Sequence, residues 1–166
     1  MLTSRIRNTD AKPFSFTFAY HTYLSVSDIS EVRVEGLETL DYLDNLLGKE
    51  RFTEQGDAIT FECEVDKIYL ATPTKIAVID HEKKWTFVLR KDGLPDAVLW
   101  NPWEKKAKSM ADFGDDEYKH MLCLEAAAVE SITLKPGEEW KGRLELSAVH
   151  SSYRSGQLDP RRALDG

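Results

Sequence analysis

Three side chains in this sequence have the acid–base character to move a proton near neutrality while lying on segments that read as β-strands: His21, Asp66 and Glu125. Glu125 stands out on physical grounds. Met121, Leu122, Cys123 and Leu124 precede it and an apolar run from Ala126 to Val129 follows. A carboxylate inside a run that is apolar on both faces either opens into a polar cleft or is costly to bury. Desolvation would raise its pKa towards the range where it can take and return a proton. The plainer alternatives are an edge-strand Glu facing water, or a Glu paired structurally with a nearby Lys or Arg. His21 closes the stretch "FSFTFAYH", in which Phe14, Phe16, Phe18 and Tyr20 alternate with Ser15, Thr17, Ala19 and His21. Period-two alternation puts the aromatics on one face and the histidine on a face of small and hydroxyl side chains. An imidazole there can titrate near neutrality with little help, or it can be a core histidine bonded to the hydroxyl of Thr22 or Tyr23. Asp66 lies among Glu62, Glu64 and Lys67, where a solvated charged strand face is the ordinary explanation.

Other candidates carry less. His81 sits in the polar turn "DHEKK", His120 at a strand entrance and His150 near the C-terminal end, and no pair has metal-ligand spacing. Cys63 and Cys123 are far apart and form no C-x-x-C, so two reduced cysteines are expected rather than a disulfide or a zinc site. There is no G-x-S-x-G and no glycine-rich phosphate loop. Trp100 and Trp103 flank Pro102 in "LWNPWEKK"; an indole can stack on a sugar ring, although such a group also serves to plug the end of a sandwich.

The elements that must position these residues are nearly all strands. Expected strands run over 2–8, 14–26, 31–34, 59–65, 67–71, 75–80, 85–91, 97–100, 120–129, 131–134 and 140–149, separated by turn sequences such as "NTDAKP", "KDGLPD" and "LKPGEE". Many short strands with regular turns indicate an all-β antiparallel sandwich or barrel. A short helix or a turn is expected in "ETLDYLDNLL", where Leu40, Leu43 and Leu47 recur at helical spacing, and another short helical segment in "EKKAKSMADF". With 166 residues, 42% hydrophobic and 31% charged, one domain over 1–150 and a polar, mobile tail over 151–166 are expected. The net charge of −7 argues against nonspecific nucleic-acid or anionic-membrane partners. No apolar run is long enough to span a bilayer or serve as a signal peptide, so a soluble cytoplasmic protein is the default expectation.

Longer blocks then resemble a known family. "KPFSFTFAYHTY", "GLETLDYLDN", "EVDKIYL", "DGLPDAVLWNPWEKKAKSMADFGDDEYKHMLCLEAA" and "LKPGEEWKGRLELS" are similar to the glucose-6-phosphate 1-epimerases of the aldose 1-epimerase superfamily, the plant-type members above all. The resemblance implies a β-sandwich of the galactose-mutarotase type and interconversion of the α and β anomers of glucose 6-phosphate. It implies His21 as general acid, Glu125 as general base, Asp66 as a ligand for substrate hydroxyls, and no metal or organic cofactor. The family carries a further stretch of sheet before the segment that aligns with Met1, holding another histidine and the arginines that grip the phosphate. The chain therefore resembles the C-terminal half, incomplete at its N-terminus. On that footing it is expected to turn over weakly or not at all alone, and to self-associate through exposed strand edges. A carbohydrate-binding sandwich without turnover is the competing expectation.

Overall fold

A computed structural model describes residues 1–150; the expected mobile tail lies outside the described residues. Two antiparallel sheets pack face to face. One has the order β1 (Leu2–Arg7), β12 (Glu139–His150), β9 (Trp85–Asp92), β8 (Lys75–Asp80) and β4 (Val32–Glu35). The other runs β2 (Phe14–Tyr20), β11 (Met121–Leu134), β10 (Asp96–Asn101), β7 (Val65–Tyr69), β5 (Asp41–Asp44) and β6 (Glu50–Thr53), with β3 (Tyr23–Ser25) also pairing β11. One short helix, α1 (Trp103–Ser109), follows β10. The all-β expectation holds, and no helix of the described residues is long and apolar enough to cross a membrane.

The core lies between the sheets, where Val34, Ile76, Val78 and Leu89 of one meet Tyr69, Leu99, Leu122 and Leu124 of the other. Burial of such side chains is the main favourable term in folding. The aromatic face of β2 joins it: Phe18 and Tyr20 pack against the core, and the Trp140 ring lies 4.9 Å from Phe18 and 5.5 Å from Phe16. The alternate face of β2 therefore points away from the core, as the alternation of the sequence requires.

Several elements differ from the sequence reading. In "ETLDYLDNLL", where a short helix or a turn is expected, it is a turn that forms, preceded by a strand. Residues 41–44 form β5, and Asn45–Leu47 is a single 3-10 turn capped by Asp44, whose side chain accepts from the Leu46 N–H at 3.0 Å. Gly48 and Lys49, both with φ of 63°, then reverse the chain into β6, so leucines at helical spacing occur here on a hairpin. The segment 59–65 is not a continuous strand: Ile59 makes one bridge to Val34, and Ile59 and Phe61 drop into the core from a loop. The two strands expected over 120–134 are one strand with a bulge between Ala128 and Ile132. The buried Asp96 carboxylate accepts the Val129 N–H at the bulge and the Ala71 N–H across it. The strand expected over 14–26 is interrupted at His21 and Thr22.

Lys91 gives the fold a measurable pH dependence. It is buried on β9, and its ammonium donates to the Leu94 carbonyl at 2.7 Å. Desolvation lowers its pKa from 10.5 to about 8, against a smaller opposing pull from Asp96. Below that value both folded and unfolded chains hold the proton, and burying the charge destabilises the fold. Between about 8 and 10.5 the unfolded chain binds a proton that the folded chain has shed, so the Lys91 contribution to stability rises with pH across this window. Above about pH 9 the buried Cys123 thiol and Tyr69 phenol, held protonated in the fold by burial, oppose the Lys91 contribution, so urea unfolding should show the rise between about pH 8 and 9, with a slope of at most about 1.4 kcal/mol per pH unit. Lys91→Met should flatten it.

Candidate active site

β2 and β3 pair with β11 in one unshifted register, from Phe18 opposite Ala128 to Ser25 opposite Met121. His21 therefore falls opposite Glu125, although neither β2 nor β3 includes it. Directly opposed residues share a sheet face with their Cβ atoms about 5 Å apart. The side chains meet: His21 Nδ1 is 2.8 Å from Glu125 Oε1. The imidazole is 70% exposed and the carboxylate 12%. The carboxylate is thus set into the sheet and the imidazole stands over it, open to solvent.

The same register extends the face across neighbouring strands. Glu125 lies opposite Val98, and Val98 opposite Ile68. One step along, Tyr23, Cys123, Trp100 and Asp66 form the next row. Asp66 is on the same face as the pair but touches neither member: it lies two strands from Cys123, about 10 Å across the sheet. Its Oδ1 accepts from Asn45 Nδ2 at 2.8 Å, so the 3-10 turn after β5 folds over the face and fixes the aspartate. Asp66 is half-buried on this face.

Sequence reasoning passed over Cys123. Its Sγ–H donates to Glu125 Oε1 at 3.2 Å. Burial pushes the Cys123 thiol well up, helped by the hydrogen bond to Glu125, so the sulfur stays a donor at neutral pH. Glu125 Oε1 accordingly accepts from both Cys123 and His21, and among the described residues Oε2 makes no side-chain bond. The structure also separates the two tryptophans. Trp100 sits on the site face between Cys123 and Asp66, its ring meeting Tyr23 edge-on at 6.4 Å. Trp103 packs on Tyr118 and lines a separate cavity of about 630 Å³ beside α1. Only strand register could have told these apart, and single-sequence periodicity does not supply register between distant strands.

A family model for aldose 1-epimerase matches residues 1–147. The chain belongs to the aldose 1-epimerase family. It is 77% identical over 99% of its length to a Cenchrus ciliaris protein named "Putative glucose-6-phosphate 1-epimerase", and covers 51% of that protein. A Haemophilus influenzae protein of the same name is 33% identical over 69% of this chain and 40% of its own. The fold matches the crystal structure of a "putative mutarotase (YeaD)" from Salmonella typhimurium, with a TM-score of 0.75 and 24% identity, over 89% of this chain and 50% of that one. The chain spans about half the length of these relatives. Membership bears out the sandwich of galactose-mutarotase type expected from the sequence blocks.

Proposed function

We propose that this chain carries the proton-transfer pair of a hexose-6-phosphate mutarotase, acting on the α and β anomers of glucose 6-phosphate. The observation that carries the reading is the His21–Glu125 contact at 2.8 Å on a face shared with Asp66. Mutarotation removes a proton from the C1 hydroxyl and delivers one to the ring oxygen. The C1–O5 bond breaks to leave an open-chain aldehyde, C1 turns about its bond to C2, and closure on the other carbonyl face reverses both transfers. The two reacting oxygens are borne by one carbon, so acid and base must stand side by side, as directly opposed residues on neighbouring strands do.

In this reading Glu125 Oε2 accepts the C1 hydroxyl proton, while Oε1 holds His21 by its Nδ1–H. The protonated imidazole then presents Nε2–H to the ring oxygen. Cys123 keeps the carboxylate from rotating, and Asp66, held by Asn45, accepts from a ring hydroxyl. The substrate class rests on the names of the similar proteins. Free Cys63, exposed, and free Cys123 suit a reducing cytoplasmic setting.

The test is exchange NMR on glucose 6-phosphate with the purified chain. At high chain concentration, cross-peaks between the α and β C1 protons should grow faster than in buffer, by the small margin expected of a chain that spans about half its relatives, and His21→Asn should remove the excess. A chain that binds the sugar phosphate but exchanges it no faster than buffer would be a carbohydrate-binding sandwich, and the reading would fall.

A further inference from the structure

We propose that this site also hydrolyses the 1,5-lactones of aldonic acids, with Glu125 and His21 as its acid–base pair and the Tyr23 phenol as donor to the oxygen that turns negative. The inference rests on the mutarotase reading for its pair and adds a residue that the reading leaves idle. A site that converts one anomer into the other must hold an oxygen at C1 in the axial position and in the equatorial one. The adduct of water with a 1,5-lactone carries both oxygens at once on the same six-membered ring. It breaks down as the hemiacetal does. A base draws the proton from one C1 hydroxyl, an acid protonates O5, and the C1–O5 bond breaks. The product is a carboxylic acid where the hemiacetal gives an aldehyde.

A lactone needs two things more than a hemiacetal, a way in for water and a donor, and the structure has both. The His21 imidazole is 70% exposed, so water reaches the pair from that side, and Glu125 Oε2 makes no side-chain bond among the described residues. Tyr23 lies directly opposite Cys123 on the face that carries Glu125. Glu125 is its diagonal neighbour, with Cβ atoms about 7 Å apart, a span that an aromatic side chain covers. Tyr23 is 58% exposed and its ring meets Trp100 edge-on at 6.4 Å. Desolvation, with Cys123 and Glu125 nearby, pushes the phenol pKa up, so the hydroxyl stays a donor at neutral pH. The step balances. The oxygen of water bonds to C1 as Glu125 Oε2 takes its proton, and the carbonyl electrons move onto the exocyclic oxygen, which accepts from the Tyr23 O–H. Those electrons then re-form the carbonyl, the C1–O5 bond breaks, and O5 takes the proton of His21 Nε2–H. Glu125 has gained one proton and His21 has lost one, and exchange with solvent restores both. A preorganised donor to such an oxyanion contributes about 10²–10³ in rate. The hemiacetal reaction opens to a neutral aldehyde and gains less from it.

The experiment is pH-stat titration of D-glucono-1,5-lactone and its 6-phosphate, slightly below neutrality, with the 166-residue chain at the concentration used for exchange NMR. Alkali uptake should exceed that in buffer, in proportion to the chain present. D-Glucono-1,4-lactone, whose ring oxygen is O4, should hydrolyse as it does in buffer. Glu125→Gln and His21→Asn should each remove the excess. Tyr23→Phe should remove most of it and take less from anomer exchange, and the exchange that remains shows that this chain folds. Anomer exchange without excess lactone hydrolysis overturns the proposal and leaves the mutarotase reading standing. Excess hydrolysis without exchange retires the mutarotase reading and leaves the lactone activity in place. Hydrolysis that survives Glu125→Gln, or that is equal on the two ring sizes, belongs to surface bases and overturns the proposal, as does the absence of both activities. Equal losses of the two activities in Tyr23→Phe would remove Tyr23 as the oxyanion donor.

Discussion

Anomer exchange by the Glu125→Gln chain is expected to fall by about 10²–10⁴-fold, the usual contribution of a positioned general base. The substitution is close to isosteric, and the amide oxygen can still accept from His21 Nδ1–H and from the Cys123 thiol, which both bond Oε1 in the native chain. What disappears is the capacity of the second oxygen to take up a proton. Affinity for glucose 6-phosphate, measured by calorimetric titration, should change little, because the proposed contact to a ring hydroxyl is made by Asp66 and not by Glu125. The rate is read by exchange NMR at saturating sugar phosphate. If Glu125 served only to orient the imidazole, Gln would preserve most of the rate, and a near-native rate would refute its role as base. Glu125→Ala makes a useful companion: it removes the acceptor for both donors, so an equal loss in the Ala and Gln chains would assign the effect to proton transfer.

The site was partly legible before any coordinates. His21 was marked by the change of character along β2, since Phe18 and Tyr20 pack against the core and Thr17 and Ala19 line a cavity on the opposite face. Glu125 was marked by the cost of a carboxylate in an apolar run. Their roles came from a family resemblance. Their contact could not be read, because it depends on the register between segments a hundred residues apart, and register leaves no trace in the period of either strand. The residues that refine the site were hidden for the same reason. Cys123 has the composition of a buried structural cysteine and gains its part only from sharing a face with Glu125. Asn45 lies in a turn whose leucine spacing imitates a helix. The Gly48–Lys49 pair was the available signal, because glycine after an apolar run marks a chain reversal as readily as a helix end.

The fold was easier to read than the site, and its misreadings share one cause. Ile59 and Phe61 alternate like a strand because both fill the core, yet only Ile59 finds a bridge partner. Apolar alternation reports which side chains are buried; a ladder additionally needs a neighbouring strand with free N–H and C=O groups. The opposite error came at Glu130, an exposed polar residue that reads as the break between two strands and lies in a bulge inside one long strand. The resulting kink is stabilised by Asp96, thirty-three residues away from Val129.

Asn101 is where the largest loss of stability is expected, and it lies within the stretch whose tryptophans drew notice first. It is fully buried at the end of β10. Its Nδ2 donates to the carbonyls of Tyr118 and Met121, each at 2.9 Å, and its Oδ1 accepts the Trp103 N–H at 2.9 Å. One side chain thereby ties the end of β10 to the start of β11 and holds Trp103 in its left-handed conformation, with φ of 58°. Asn101→Ala removes all three bonds and leaves two carbonyls and an N–H short of partners. At about 1–3 kcal/mol for each unsatisfied buried group, partly relieved by relaxation, the loss should be about 3–5 kcal/mol. A domain of this size has about 5–15 kcal/mol in all, so the urea midpoint should fall steeply. Asn101→Asp should be at least as damaging: it keeps the acceptor for Trp103 and turns the donor end into a carboxylate oxygen facing two carbonyl oxygens. Because Trp100 precedes Asn101 and Cys123 follows Met121 by two residues, the same tie sets the relative height of the two strands that place Asp66 and Glu125 on one face. An Ala chain that unfolds at the wild-type urea midpoint would show that backbone pairing alone sets this register.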